Sequence, residues 1–270
     1  LALFSARFMS LLVIVSPDTT GLGRLDYASL SQQALMEMVV GEIIEQKQEA
    51  YKDKNGNFLD ISEWDGVTIE NGEVKVIDWS VIELEDMIKC HVEEQGTIHL
   101  EWLPDSVEKC NIPDHGCRGT IDWTKLPKNL RHLIVSRNML DFEVLLEKFP
   151  DGLSHVDISN NPLENRTVVL SKKATSLKEV FIGTNSLKGT LDLSELPVNL
   201  ANFRFENNLL EGTLDLAVLP PKLEKLAAHD NKFHGTLDLT KLPGTLEELA
   251  LFNNSFTGSL TLTSLPASLV

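Results

Sequence analysis

From residue 189 the chain repeats itself every 23 residues without a gap: GTLDLSELPVNLANFRFENNLLE fills 189–211, GTLDLAVLPPKLEKLAAHDNKFH fills 212–234 and GTLDLTKLPGTLEELALFNNSFT fills 235–257. A partial unit, GSLTLTSLPASLV, fills 258–270. Upstream, 96–118 and 119–141 follow the same plan. Unit 142–164 keeps the frame with worn residues, and 165–188 carries one extra. Seven full units and a fragment at one period define a stack in which no unit buries its own apolar face and neighbours bury it together.

The consensus, GTLDLxxLPxxLxxLxLxxNxLx, sets the local structure. A helix needs apolar residues at i, i+3, i+4 and i+7, and LxxLxL followed by Asn breaks that stripe. In an extended strand, Phe203 and Phe205 point to one face, the interior of the stack. Asn208 then stands where the chain turns inward, and its amide is expected to satisfy backbone groups of the bend and of the next coil. Gly189 permits a tight turn, and Pro197 fixes the backbone without needing a donor.

The spacing LxxLxLxxNxL, carried by Leu130, Leu133, Val135, Asn138 and Leu140, resembles the leucine-rich-repeat family. The GTLDL segment after each Asn turn is similar to the plant-type subclass, and the LDLxxLP wording to repeat proteins of kinetoplastids and other unicellular eukaryotes. The resemblance covers 96–270. It implies an α/β repeat solenoid that is curved, with a concave parallel β-sheet, short second strands on the flank and a helical N-terminal cap. It implies a binding protein rather than an enzyme and does not specify the ligand.

The resemblance extends upstream. Plant-type caps hold a helix, a CxWxGVxC segment and a GxVxxI strand. Here an amphipathic stretch runs from about Ser29 to Lys52, with Leu35, Val39 and Ile43 beside Met36, Val40 and Ile44. Ser29 and Gln32 have the spacing of a capping box. Ser62-Glu63-Trp64-Asp65-Gly66-Val67-Thr68-Ile69 and the strand 72–77 follow. Ser62 and Ile69 replace the two cap cysteines, so Trp64, Val67 and Ile69 are expected to cover the first coil by apolar burial alone. In 80–95, Val81, Leu84, Met87 and Ile88 have helical spacing. The layout is an N-terminal extension over 1–24, a cap over 25–95 and repeats over 96–270.

Charge narrows the partners. Lys and Arg total 24 against 40 Asp and Glu, a net charge of −16. That disfavours a phosphate backbone or an anionic membrane and favours solubility or a basic partner. The three cysteines, Cys90, Cys110 and Cys117, form neither a disulfide framework nor a zinc pattern. Cys110 and Cys117 replace inward repeat residues and read as buried apolar groups. The apolar run from Phe8 to Val15 is too short to span a bilayer and reads as a signal remnant or as an apolar strand over the first helix.

Residues alternating with the inward ones face outward and form three columns on the concave sheet. The first is Lys109, His132, His155, Glu179, Asn202, Lys225 and Glu248. The second is Asn111, Ile134, Asp157, Phe181, Arg204, Ala227 and Ala250. The third is Pro113, Ser136, Ser159, Gly183, Glu206, His229 and Phe252. They vary while the inward positions do not. Aromatic residues and Arg anchor protein contacts. The candidate partner-binding set is His132, Ile134, His155, Asp157, Glu179, Phe181, Asn202, Arg204, Glu206, Lys225, His229, Glu248 and Phe252, for a protein partner. No catalytic residue, metal or cofactor is assigned. The compartment, cytoplasmic or at the cell surface, and the oligomeric state stay open.

Two alternatives share this surface. One is the ectodomain of a cell-surface receptor. The other is a hydrolase or metal site among His132, His155, Asp157, Ser136 and Ser159, disfavoured because an open sheet offers no cleft or oxyanion hole. Gly21-Leu22-Gly23 precedes no strand–helix unit and is no dinucleotide loop. Asp53-Lys54-Asn55-Gly56-Asn57 lacks the spacing of a calcium loop and reads as a turn ending the helix. Of the two glycosylation patterns, Asn165-Arg166-Thr167 is retained and Asn253-Asn254-Ser255 is set aside as a strand edge. Terminal repeats normally carry a polar cap. None is written before Val270, so a longer chain with further repeats is expected.

Overall fold

The structure is a computed structural model that describes residues 27–80 and 95–270. The chain divides into two units, Leu1–Ser31 and Gln32–Val270. In the first, residues 27–31 are described and hold a 3-10 turn at Tyr27–Ser29, closed by the Leu30 N–H on the Tyr27 carbonyl at 3.2 Å. The expectations for 1–16, Gly21–Gly23, the helical spacing in 80–95 and Cys90 fall outside the described residues. All that follows concerns the second unit.

Its principal sheet has nine strands. They are β1 (Val67–Glu70), β2 (Glu73–Asp78), β3 (Lys109–Asn111), β4 (His132–Ile134), β5 (His155–Asp157), β6 (Glu179–Phe181), β7 (Asn202–Arg204), β8 (Lys225–Ala227) and β9 (Glu248–Ala250). β1 and β2 form an antiparallel hairpin turned at Asn71 and Gly72, and every later neighbour is parallel. The register is that of the repeat: Cys110, Leu133, Val156, Val180, Phe203 and Leu226 stack inward, all fully buried. A second inward row, Ile112, Val135, Ile158, Ile182 and Phe205, lies beside it.

The consensus asparagines form a ladder. Asn208 Nδ2 donates to the carbonyls of Phe205 and Glu206 in its own bend and of Ile182 in the coil before, at 3.0–3.2 Å. Its Oδ1 accepts from the backbone N–H of Asn185 and Leu187, again in the preceding coil. Asn138, Asn161, Asn185, Asn231 and Asn254 reach back in the same way. The amide thus ties each bend to the preceding coil, not to the next one as expected. The residue before each ladder Asn, from Arg137 to Asn253, has a positive φ that swings the chain inward. In the first coil His115 takes the ladder position, and its Nε2 lies 3.1 Å from the Trp79 carbonyl.

On the flank, short second strands follow each turn: Gly96–Thr97, Arg118–Thr120 and Met139–Asp141 early, and Lys188–Gly189, Leu209–Gly212, Lys232–Gly235 and Ser255–Phe256 late. The worn units interrupt this edge with a separate pair, Val144–Leu145 and Val168–Val169. The GT dipeptide is explained by packing. Gly212, Gly235 and Gly258 have φ of 86–95°, and a Cβ on any of them would sit 2.9 Å from the Thr methyl of the preceding coil. The glycine is needed for both the left-handed backbone and the close approach.

The N-terminal stretch is not one helix. α1 (Gln32–Val40) buries Leu35, Met36, Val39 and Val40, and Gly41 ends it. Glu42–Ile43 then pairs antiparallel with Gly96–Thr97, placing Ile43 in the core. Gly96 allows this, since a Cβ there would stand 2.3 Å from the Glu42 carbonyl oxygen. α2 (Glu45–Gln48) and a 3-10 turn (Glu49–Tyr51) complete the stretch. α1 starts at Gln32 itself, and the Gln32 amide holds the hairpin: its Nε2 donates to the Gly72 carbonyl and its Oε1 accepts from the Val74 N–H. Aromatic packing secures the segment that follows. Trp64 is buried 4.6 Å from Tyr51, which lies 5.3 Å from Trp79, while Val67 and Ile69 pack against the core.

Candidate interaction surface

Because β3 to β9 share one register, the first two columns become rows of side chains on the open side of the sheet: His132 beside His155, Glu179 beside Asn202, and Lys225 beside Glu248. The third column lies just past the strands, where the chain begins its bend. Within the columns Asn111, Ser136, Gly183 and Ala227 are covered by their neighbours. Ile134 and Phe181 are half-buried, and Phe252 is 59% exposed.

Ring stacking and ion pairs order this face. The imidazoles of His132 and His155 stack at 4.2 Å with an interplanar angle of 16°. Burial, then the His155 and Lys109 charges, holds His132 below the usual imidazole range. His229 and Phe252 stack at 4.3 Å and 8°. His229 Nδ1 lies 2.7 Å from Asp230, whose carboxyl is held low by that contact and by Asn253. The Arg204 guanidinium lies 5.9 Å from the Phe181 ring centre, and its Nε donates to Asn202 at 3.3 Å. Arg204 and Lys225 converge on Glu248, at 3.4 and 4.0 Å.

Asp78 was not visible as part of this face in the sequence. β2 pairs with β3 so that Asp78 aligns with Asn111 in the second column. It accepts from Lys109 Nζ at 2.7 Å, Asn111 Nδ2 at 2.8 Å and Ser80 Oγ at 2.6 Å. Burial pushes the Asp78 carboxyl up, but these donors outweigh it and hold it at about 2. The 23-residue period does not reach back to Asp78, which stands 33 residues before Asn111, so no spacing signal pointed to it.

The hydrolase residues do not assemble. His155 Nδ1 lies 2.8 Å from Ser154 Oγ, and that hydroxyl donates to the Arg131 carbonyl. Ser159 Oγ donates to Asp157 at 2.6 Å. Serine, base and acid are therefore paired in two separate contacts with no proton relay through them. Among the described residues no cluster of three His, Cys, Asp or Glu side chains has metal-holding geometry.

Motifs off this face have structural roles. Asp53 Oδ1 accepts the N–H groups of Asn55 and Asn57, closing the turn after the helices. Cys110 and Cys117 are buried and free, and burial pushes the Cys110 thiol up to about 12. Asn253 is not on a strand edge: β9 ends at Ala250, and Asn253 occupies an exposed left-handed turn, with its amide on Asp230 at 2.8 Å. Asn165 occupies a similar exposed turn and accepts from Lys188. No helix among the described residues is long and apolar enough to cross a membrane.

No family model matches the sequence, and no curated protein does. Solved structures do. The plant peptide hormone receptor RGFR1, in complex with RGF2, is 24% identical over 63% of this chain and 28% of its own, with a TM-score of 0.53. The leucine-rich-repeat ectodomain of the plant membrane receptor kinase GASSHO1/SCHENGEN3 from Arabidopsis thaliana, in complex with Casparian strip integrity factor 2, is 18% identical over 85% of this chain and 30% of its own, at 0.59. A plant ice-binding protein is 17% identical over 87% of this chain and 83% of its own, at 0.57. Parallel strands at a 23-residue period, an asparagine ladder and these neighbours together define a leucine-rich-repeat solenoid. Its short second strands run along the flank, and a helix and a hairpin precede its first coil. The chain spans less than a third of the length of either receptor chain.

Proposed function

We propose that this solenoid is an interaction scaffold that binds a protein partner on its concave sheet. One observation carries the reading: seven successive coils present varied side chains in unbroken register over a uniformly apolar core, and the face includes Phe181, Arg204 and a largely exposed Phe252. Nine strands at about 4.8 Å give a sheet roughly 38 Å long. That accommodates a contact of standard size, about 800 Å² per partner. Aromatic rings pre-stacked on histidine or guanidinium lose little side-chain freedom on binding, which is what an anchor requires. The two plant receptors above were solved with RGF2 and Casparian strip integrity factor 2, which supports a peptide or protein ligand here.

The test is affinity capture with the chain and with a Phe181→Ala, Arg204→Glu, Phe252→Ala variant of unchanged thermal midpoint. A partner held by the first and lost by the second is the expected result. Equal retention by both sinks the concave-face reading.

A further inference from the structure

The bases and acids of the concave face are not in balance. All three Lys and Arg of the outward columns already have partners: Lys109 with Asp78, and Arg204 and Lys225 with Glu248. The acids are different. Among the described residues no Lys or Arg nitrogen comes within 4.0 Å of Asp157, Glu179 or Glu206. These three stand on consecutive coils, with Phe181 beside Glu179 on the same strand.

Hydrogen-bond acceptors on this face also lack donors. Glu206 Oε2 is covered and accepts nothing. Its other oxygen occupies the space a side chain on Gly183 would fill, 2.8 Å from where that Cβ would be. Asn111 is 8% exposed, donates to Asp78, and leaves its Oδ1 without a partner. His155 adds a third case. The one Ser154 hydroxyl proton goes to the Arg131 carbonyl, so His155 in its neutral form donates from Nδ1 to Ser154 Oγ. Its Nε2 then presents a lone pair, 3.9 Å from Glu179 Oε2. In that form two acceptors face each other with no donor between them.

We propose, on the basis of the concave-face reading above, that the occupant is an extended, Lys- and Arg-rich segment of a protein partner. One ammonium or guanidinium group donates to His155 Nε2 and Glu179 together. Others pair with Asp157 and with Glu206, whose side chain turns outward to meet them, and an aliphatic stem lies on Phe181. Guanidinium suits the bridging position, because its forked donors reach two acceptors at once. The net charge of −16 raises the local concentration of such a segment and repels acidic ones.

The experiment uses the full chain and three pools of short fluorescent random peptides, enriched in Lys and Arg, in Ser and Gln, or in Asp and Glu, read by anisotropy. The basic pool is expected to bind, and more weakly as salt rises. Glu179→Gln with Glu206→Gln is expected to weaken it about tenfold, two partly exposed ion pairs being lost. Asp192→Asn with Asp215→Asn, on the flank, is expected to leave it unchanged. Preferred binding of the neutral or acidic pool that is lost in Phe181→Ala overturns the basic-segment proposal and leaves the concave-face reading standing. Basic-pool binding that survives every concave substitution overturns both, and so does binding of no pool.

Discussion

Removing the Asn208 amide tests whether the ladder holds the coils together. Asn208→Ala takes away an acceptor for two backbone N–H groups, those of Asn185 and Leu187, and a donor shared among three carbonyls. The site is 5% exposed, so water does not replace these contacts without local opening. A buried donor left unpaired costs about 1–3 kcal/mol. Two of them set a range of about 2–6 kcal/mol, and relaxation of the bend brings the expectation to about 3–4 kcal/mol. Urea unfolding of the chain and the variant, at equal m-value, measures it. Because each coil contacts only its neighbours, hydrogen exchange should accelerate first between residues 182 and 210 and last in the cap. Asn199→Ala is the control. Its amide donates to the Thr175 carbonyl and accepts from Lys222 Nζ, both in solvent-exposed hydrogen bonds, and its loss should stay within about 0.5 kcal/mol. A loss below about 1 kcal/mol for Asn208→Ala, or equal losses in the two variants, refutes the ladder as a major source of stability.

His99 makes stability depend on pH. A hydrogen bond to Glu101 raises it most, burial opposes, and Glu42 assists, so the folded imidazole titrates at about 9. A folded value above the unfolded one means the contribution is complete below about pH 6.5 and is lost as pH rises towards 9. Glu42 is largely exposed, so about 1 kcal/mol is expected, and a His99→Gln chain with the same pH profile as the parent would contradict it. Gly235→Ala should destabilise by about 1–2 kcal/mol in thermal melts, because the backbone is left-handed and the Thr213 methyl lies only 2.9 Å from the Cβ position. Phe203→Ala, removing a fully buried ring packed on Phe205, should cost about 3–5 kcal/mol in urea unfolding. In a Cys90→Ser chain, Cys110 and Cys117 should react with a thiol reagent only as fast as the chain opens, and immediate labelling would show them accessible.

The period, the inward rows and the direction of the outward columns follow from the amino-acid order alone, because strand alternation allows only one face to be apolar and stacking repeats that choice at every coil. The burial of Cys110 and Cys117 was legible for the same reason: each occupies a place where its counterparts in other coils are Leu, Val or Phe. Other properties came only with the tertiary structure. Whether the ladder amide reaches forward or back depends on which coil lies under the bend. The break of the N-terminal stretch at Gly41 depends on Ile43 finding Gly96, more than fifty residues away. Asp78 joins the concave face through a strand outside the period. Which charges stay unpaired there was equally hidden, since Lys109 and Arg204 choose partners by distance across coils, and a linear sequence records no such distance.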